Sequence, residues 1–215
     1  MARPAKPLIS RTAAIHAALE VIDADGLGAF SLPRLAAHMG VRAPSLYHHF
    51  RSRDEIMLGV ARHIAGPAVA TSGLSPGPDW PEHFVVLASN FRKSILRYPK
   101  AAPLLLHYPP RDLVLGGYEG AINFLRDSGV PDELHIRIID GMETLAVGAV
   151  LIEAIDAAQN RSRSFRGVDP ARAPMLADAV EACRLGPDEL FEAKVRGFLR
   201  GVVRQIPNAC SINAP

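Results

Sequence analysis

Apolar residues recur at three- and four-residue intervals along most of the chain, which is the spacing of amphipathic α-helices. Leu and Ala predominate, and no alternating runs of β-branched residues separated by turn dipeptides occur. The pattern therefore predicts an all-α fold. The helices are expected at about residues 10–25, 32–39, 43–50, 52–66, 82–98, 100–106, 113–127, 131–159, 175–183 and 187–203.

The segment from Ser31 to Phe50 predicts two short helices joined by a turn. Ser31 is a good N-cap, and Gly40 tolerates the left-handed conformation that ends the first helix. In the second helix Leu46 and Phe50 would face inward, which leaves hydroxyl, phenol and imidazole groups on the outer face. Such a helix is too short to be stable alone and is typical of the recognition helix of a helix-turn-helix, which enters the DNA major groove.

Charge is distributed unevenly along the 215 residues. Residues 1–65 contain eight basic and five acidic side chains, a net charge of +3, whereas the remainder contains sixteen basic and seventeen acidic ones. This asymmetry favours a small DNA-binding domain at residues 1–66, called the head below, and a nearly neutral remainder at residues 67–215, called the body. Residues 66–81 are rich in Gly, Pro and Ser, so we predict a DNA-binding domain at 1–66 and a ligand-binding and dimerisation domain at 67–215.

Other classes of protein lack support in the sequence. The two cysteines, Cys183 and Cys210, have no Cys or His partners at ligand spacing, so neither a disulfide framework nor a metal site is expected. The chain has no G-x-S-x-G, P-loop, H-E-x-x-H or Rossmann glycine motif, so we predict no enzymatic activity and no cofactor. Without a signal peptide or a long apolar segment, a cytoplasmic protein with no membrane partner is expected.

The head motif is also specific to a family. Gly40-Val41-x-x-Pro44-Ser45-Leu46-Tyr47-x-His49-Phe50, followed by Ser52-Arg53-Asp54-Glu55-Ile56, resembles the DNA-binding domain of the TetR family of bacterial repressors. In the body, the opening at Trp80, the pair Phe91-Arg92 and the segment from Val147 to Glu153 are similar to the tetracycline-repressor-like subclass.

The resemblance implies a homodimer, in which the last two long helices pair across a two-fold axis into a four-helix bundle. The apolar stripe of the last helix would then lie in the dimer interface, although packing within one chain remains open. This stripe contains Leu190, Phe191, Val195, Phe198, Leu199 and Val202. A homodimer implies a palindromic double-stranded DNA operator, and the family implies a small-molecule effector.

The resemblance also implies DNA contacts in the head. Tyr47, His49 and Arg53 would donate to phosphates, and Arg42 would read a guanine or bind a phosphate. Ala43 replaces a base-reading Gln of the subclass and Pro33 replaces an Arg, so a different operator is expected. The predicted DNA-binding residues are Ser31, Arg34, Arg42, Ala43, Pro44, Ser45, Tyr47, His48, His49 and Arg53.

The drug-binding His and Asn of the subclass have no counterparts, because the positions near Ala68 and Leu87 are apolar. A different effector is therefore expected. Polar residues on otherwise apolar helices are candidate ligand contacts, although each could instead be a satisfied polar group of the core. The predicted ligand-binding residues are Asn90, Phe91, Ser94, Leu105, His107, Tyr108, Tyr118, Asn123, Met142 and Glu143.

Two functions remain open. The first is a repressor that a small molecule releases from its operator. The second is a DNA-binding regulator or activator of the same family whose body senses no ligand. A cavity of several hundred Å³ with polar groups in its wall would favour the first.

Overall fold

A computed structural model describes residues 10–66, 72–161 and 167–204. Ala68 and Cys210 lie outside these ranges, and Cys183 is exposed. The predicted all-α fold is confirmed, and the described residues contain no strand. The helices are α1 (Arg11–Asp25), α2 (Leu32–His38), α3 (Ala43–Tyr47), α4 (Arg53–Ala65), α5 (Trp80–Leu96), α6 (Leu104–His107), α7 (Arg111–Asp127), α8 (Asp132–Ala158), α9 (Pro174–Ala182) and α10 (Pro187–Val203).

Serine caps fix where three of the head helices begin. The Ser10 hydroxyl oxygen accepts a 3.0 Å hydrogen bond from the N–H of Ala13. Ser31 and Ser52 cap α2 and α4 in the same way. Each cap satisfies an N–H that has no partner inside the helix, so the starts of these helices could be read from the sequence to within one residue.

Two predicted helices are shorter than expected. Helix α3, the predicted recognition helix, ends at Tyr47 instead of Phe50, because the carbonyl of Leu46 accepts the N–H groups of both His49 and Phe50 in a closing turn. The helix predicted at 100–106 is divided into a 3₁₀ turn, Pro99–Ala101, and the four-residue α6. Pro103 lies at the junction, where it lacks the N–H that a continuous helix would use.

The body is built around α8, which packs against α5, α7 and α10. Arg92 of α5 is 5% exposed and donates two hydrogen bonds, of 2.8 and 2.7 Å, to the carboxylate of Glu153 in α8. Its third hydrogen bond, of 2.7 Å, reaches Asp188 at the start of α10. These bonds raise the pKa of Arg92, most of all the one to Glu153. The buried guanidinium thus joins three helices of the body.

The apolar faces of α8 and α10 are used differently from the prediction. Phe191, Val195, Leu199 and Val202 of α10 are buried against helices of the same chain, so the expectation that the whole stripe lies in a dimer interface is wrong. The sequence also predicts burial all round from Met142 to Ile155. However, Ile152 and Ile155 are 54% and 39% exposed, because nothing in the described part of the single chain covers that face of α8.

No described helix combines the length and the apolar character that a membrane span would need.

Candidate DNA interface and ligand cavity

The outer surface of α3 is formed by exposed polar side chains. Leu46 and Phe50 are buried in the head core, which turns Tyr47 outward until it is 58% exposed. Arg42 and His48 are exposed at the two ends of the same short helix. Within the described part of the chain, no hydrogen bond or ion pair occupies the side chains of Arg42, Tyr47 or His48. These groups are therefore available to bind a partner.

An ionic frame holds α3 in place. Arg11 of α1 forms a 2.6 Å ion pair with Glu55 of α4, donates to the carbonyl of His49, and lies 4.6 Å from the ring centre of Phe50. The carboxylate of Glu55 also accepts the N–H of Arg51 at 2.7 Å. That backbone bond, followed by the bond from Arg11, lowers the pKa of Glu55. The frame fixes the turn that follows the recognition helix.

Several hydrogen bonds join the head to the body. Tyr108 is the residue directly after α6, and its hydroxyl donates a 2.8 Å hydrogen bond to Asp54 of α4. Arg62 of α4 forms an ion pair with Asp112 at the start of α7. Lys100 donates to the carbonyls of Asp23 and Ala24 at the end of α1. These contacts therefore join the head to the residues just before and after α6 and to the start of α7.

A cavity of about 660 Å³ lies between α5, α7, α8 and the segment 72–74. Its wall is mostly apolar and aromatic, with Phe84, Leu87 and Phe91 from α5 and Phe124 from α7. Gly116 and Gly120 of α7 also line it, and a Cβ atom added at either position would have no neighbour within 4 Å. Both glycines are exposed, so they contribute backbone without side chains at the edge of the wall.

One polar pair in the cavity wall is formed by His83 and Ser72. Nδ1 of His83 lies 2.6 Å from the Ser72 hydroxyl oxygen, and the imidazole stacks on the Phe124 ring with 3.6 Å between ring centres. Burial lowers the pKa of His83, so this imidazole is neutral at pH 7. It offers a ligand one hydrogen-bonding group and no charge.

A second polar pair joins α7 to α8. The Tyr118 hydroxyl donates to Oε2 of Glu143, and both residues line the cavity. Burial raises the pKa of Tyr118 to about 12, and the hydrogen bond to Glu143 acts in the same direction. Tyr118 therefore remains a protonated donor at neutral pH.

Comparison with known proteins identifies the family. Residues 14–60 match the family described as "Bacterial regulatory proteins, tetR family", and residues 73–206 match "Tetracyclin repressor-like, C-terminal domain". The chain belongs to the TetR family. Its members are DNA-binding transcriptional regulators with a ligand-binding C-terminal domain, so the resemblance noted in the sequence is confirmed.

Individual TetR family relatives match over most of their length. The tetracycline repressor protein class A from transposon 1721 of Escherichia coli is 24% identical over 192 residues, which is 89% of each chain. A solved structure described as a possible TetR family transcriptional regulator from Streptomyces coelicolor A3(2) has a TM-score of 0.75 at 22% identity, covering 92% of this chain and 100% of that one. A variant of TetR from Acinetobacter baumannii AYE, solved in complex with minocycline, has a TM-score of 0.73 at 22% identity, covering 92% and 94%.

The other predicted DNA-binding residues lie in α2, α3 and α4 or directly beside these helices. The Ser31 hydroxyl caps α2, Arg34 forms a 2.7 Å ion pair with Asp25, and the Arg53 guanidinium lies 5.6 Å from the ring centre of Phe30. Ala43, Ser45 and His49 are half-buried, and Pro44 is exposed. A DNA contact by Arg34 would compete with its pairing to Asp25, whereas Arg42 has no such competitor among the described residues.

The structure places the ten predicted ligand residues in two groups. Four of them line the cavity, namely Phe91, Tyr118, Met142 and Glu143. The other six do not, namely Asn90, Ser94, Leu105, His107, Tyr108 and Asn123.

Contacts elsewhere account for most of the second group. Ser94 donates to the carbonyl of Ile64 at 2.6 Å, Nδ1 of His107 lies 2.9 Å from the carbonyl oxygen of Pro103, and Tyr108 bonds Asp54. Leu105 packs against the core, and Asn123 is exposed on α7.

Sequence reasoning missed His83, Phe124 and Ser72. A signal for His83 was present, because His83, Leu87 and Phe91 follow one another at four-residue spacing and therefore share one face of α5. Ser72 carried no comparable signal, since a loop residue is brought to the cavity only by tertiary packing.

Proposed function

We propose that this protein is a homodimeric transcriptional repressor in the cytoplasm, which binds a palindromic operator and releases it when a small molecule occupies the cavity. Residues 1–66 would bind DNA, and residues 67–215 would bind the effector and dimerise. One observation carries the proposal: α7 both lines the cavity and, at its start, is bonded to α4 of the head.

The DNA-binding half of the proposal rests on the surface of α3. Tyr47 and His49 would donate hydrogen bonds to phosphates, which position the head without reading sequence. Arg42 has an exposed guanidinium with no partner among the described residues, and it would read a guanine edge or bind a phosphate. Two such heads related by a two-fold axis would require a palindromic site.

The release half rests on the connection between α7 and α4. Val114 and Tyr118 line the cavity, and Asp112, less than two turns earlier in the same helix, pairs with Arg62 of α4. A ligand that packs against α7 would favour one position of this helix and hence one orientation of α4. Release requires only that the ligand binds this orientation more tightly than the one that fits DNA.

The proposed dimer rests on faces that the single chain leaves uncovered. Ile152 and Ile155 of α8 are exposed, and at Gly197 and Gly201 of α10 an added Cβ atom would meet nothing within 4 Å. Apolar side chains beside small residues allow helices of two chains to approach closely. We therefore place the proposed interface on the outward faces of α8 and α10.

A family member that binds no small molecule is the alternative, and the cavity argues against it. A volume of about 660 Å³ lies within the usual range of ligand sites, and a mostly apolar wall with a few converging polar groups is typical of them. The similar Acinetobacter structure that holds minocycline supports the same interpretation.

The proposed function can be tested by selecting genomic fragments that bind the purified protein at two salt concentrations. Enrichment of one palindromic site at both concentrations is expected. Uniform binding that disappears as salt rises would leave only the phosphate contribution and would contradict sequence-specific repression. Compounds that release the enriched fragment would then identify the effector, and failure of any cavity ligand to release it would contradict the ligand-responsive part.

A further inference from the structure

We propose that the cavity selects a flat aromatic effector that carries a positive charge, with the cation held at Glu143. This inference rests on the proposed function, because it specifies the chemical class of ligand for the same cavity.

The first argument is the charge of the wall. Among the described residues that line the cavity, Glu143 is the only Asp, Glu, Lys or Arg. Burial keeps His83 neutral, and a tyrosine carries no positive charge in either protonation state, so neither residue supplies a cation to the wall. Arg92 directly follows the cavity residue Phe91, but its guanidinium is buried and already bonded to two carboxylates. An anionic ligand would therefore lose its hydration without gaining a cationic partner.

The second argument is the shape and chemistry of the apolar wall. Phe91, Phe124 and Tyr118 contribute aromatic rings to the wall, and the imidazole of His83 stacks on the ring of Phe124. Aromatic rings attract a cation through their faces and stack on a flat arene. Gly116 and Gly120 add backbone without side chains at the edge of this wall. A planar ring system can lie against such a surface, whereas a branched aliphatic ligand would leave part of it uncovered.

The third argument is the separation of the two polar pairs. Tyr118 forms the pair with Glu143, and Phe124 stacks on His83. On α7, Tyr118 lies six residues before Phe124. At a rise of about 1.5 Å per residue, these levels are about 9 Å apart along the helix. The ligand therefore fits as an elongated polycyclic arene, with a cationic nitrogen at the Glu143 end and a neutral hydrogen-bonding group at the His83 end.

Three probes with one ring system separate charge from shape. They are 2-(aminomethyl)anthracene, a cation at neutral pH, 2-anthracenemethanol, which is neutral, and anthracene-2-carboxylate, an anion; each carries its substituent at one end of the long axis. Binding of each to the full-length protein is measured by fluorescence titration in the absence of DNA. The cation is expected to bind most tightly and the anion most weakly. The preference should shrink as salt is added, because Glu143 is exposed enough to be screened.

Glu143→Gln is expected to weaken binding of the ammonium probe by about twofold to fivefold and to leave the neutral probe unchanged. Glu119→Gln is the matched control, because Glu119 adjoins Tyr118 on α7 and is exposed but does not line the cavity. It removes the same charge and should change neither affinity. Equal effects of the two substitutions would overturn the assignment of the cation to Glu143.

A third variant distinguishes failure of this inference from failure of the proposed function. Ala121→Trp adds a large side chain at a half-buried position of the cavity wall, and it should abolish binding of all three probes while the helical circular dichroism spectrum stays unchanged. If the carboxylate binds wild type as tightly as the ammonium, and Ala121→Trp abolishes both, the charge preference is refuted and the ligand cavity stands. If no probe binds wild type, or Ala121→Trp leaves binding unchanged, this inference is refuted, whereas the proposed function is refuted only if no compound at all releases the operator fragment.

Discussion

The hydroxyl of Tyr108 donates a 2.8 Å hydrogen bond to Oδ1 of Asp54, and this bond joins the end of the short helix α6 in the body to the first turn of α4 in the head. The bond raises the pKa of Tyr108, because the neutral phenol is the form that can donate to the carboxylate. Since α4 follows directly after the recognition helix and its closing turn, the contact links the body to the segment that positions α3.

Replacing Tyr108 by Phe is expected to lower the free energy of unfolding by about 0.5–1.5 kcal/mol, because one hydrogen bond between head and body is lost. Urea denaturation measures the change. Tyr98→Phe is the control, since no partner for the Tyr98 hydroxyl is found in the described residues, and it should have a smaller effect. Equal losses from the two substitutions would show that the Asp54 bond contributes nothing.

Two substitutions on α3 separate phosphate contacts from base reading. Tyr47→Phe should weaken binding to operator and to random DNA by the same factor, because phosphates carry no sequence information. Arg42→Ala should reduce discrimination at one base pair, by about 1–3 kcal/mol, if Arg42 reads a guanine. Titrations against single-base operator variants measure both effects. A uniform loss for Arg42→Ala would reassign this residue to a phosphate.

Replacing the buried Arg92 by Met is expected to reduce the free energy of unfolding by about 3 kcal/mol, because Glu153 would be left without its partner inside the body. Arg196→Met is the comparison. Arg196 of α10 pairs with Glu82 of α5 and with Glu192 of its own helix, but all three side chains are about one-third exposed or more. Its loss should cost less than about 1 kcal/mol. If chemical denaturation gives similar decreases in the free energy of unfolding for the two variants, the larger contribution assigned to the buried ion pair is wrong.

The dimer face can be tested without disturbing the core of the chain. Ile152→Asp combined with Ile155→Asp should produce monomers with an unchanged helical circular dichroism spectrum, since both side chains are exposed in the single chain. Leu199→Asp should instead lower the free energy of unfolding, because Leu199 is 0% exposed and the new charge would be buried. Sedimentation that reports an unchanged dimer mass for the double variant would contradict the interface.

His83 predicts a pH dependence of stability. Its pKa in the folded protein is below that of an unfolded histidine, about 6.5, so the unfolded chain binds the proton more readily. The free energy of unfolding should therefore fall as the pH drops below about 6.5. His63 has a lowered pKa for a similar reason, chiefly burial, and contributes in the same direction. In His83→Gln, the free energy of unfolding should fall less steeply at low pH, because only His63 and other groups still contribute. Chemical denaturation at a series of pH values measures this change. An identical profile for wild type and variant would contradict the burial of a neutral imidazole.

Much of the fold could be predicted because its signals are local. Serine caps and apolar spacing indicate the helix starts of the head, and the helix-turn-helix motif lies within twenty consecutive residues. The predicted end of α3 was wrong by three residues, since it depends on how Phe50 reaches the core. The burial of the α10 stripe was equally hidden, because an apolar face does not specify whether a helix of the same chain or of another will cover it.

The cavity was only partly predictable for a related reason. Phe91, Tyr118, Met142 and Glu143 line it, but Ser94 and Tyr108 contact the head instead. The spacing of residues along one helix predicts which of them share a face. It does not predict which neighbouring helix or loop that face contacts. His83 could have been placed with Phe91 by this spacing, whereas Ser72 could not.

The two glycines of α7 in the cavity wall also bear on how proteins of this kind diversify. A larger side chain at Gly116 or Gly120 would enter empty space without displacing the core. Each such change would also replace a poor helix-forming residue with a better one, so it need not cost stability. The edge of the cavity at α7 can therefore vary by single, well-tolerated substitutions. If the cavity holds an effector, as we propose, the compounds that it accepts can change across generations while the surface of α3 remains the same.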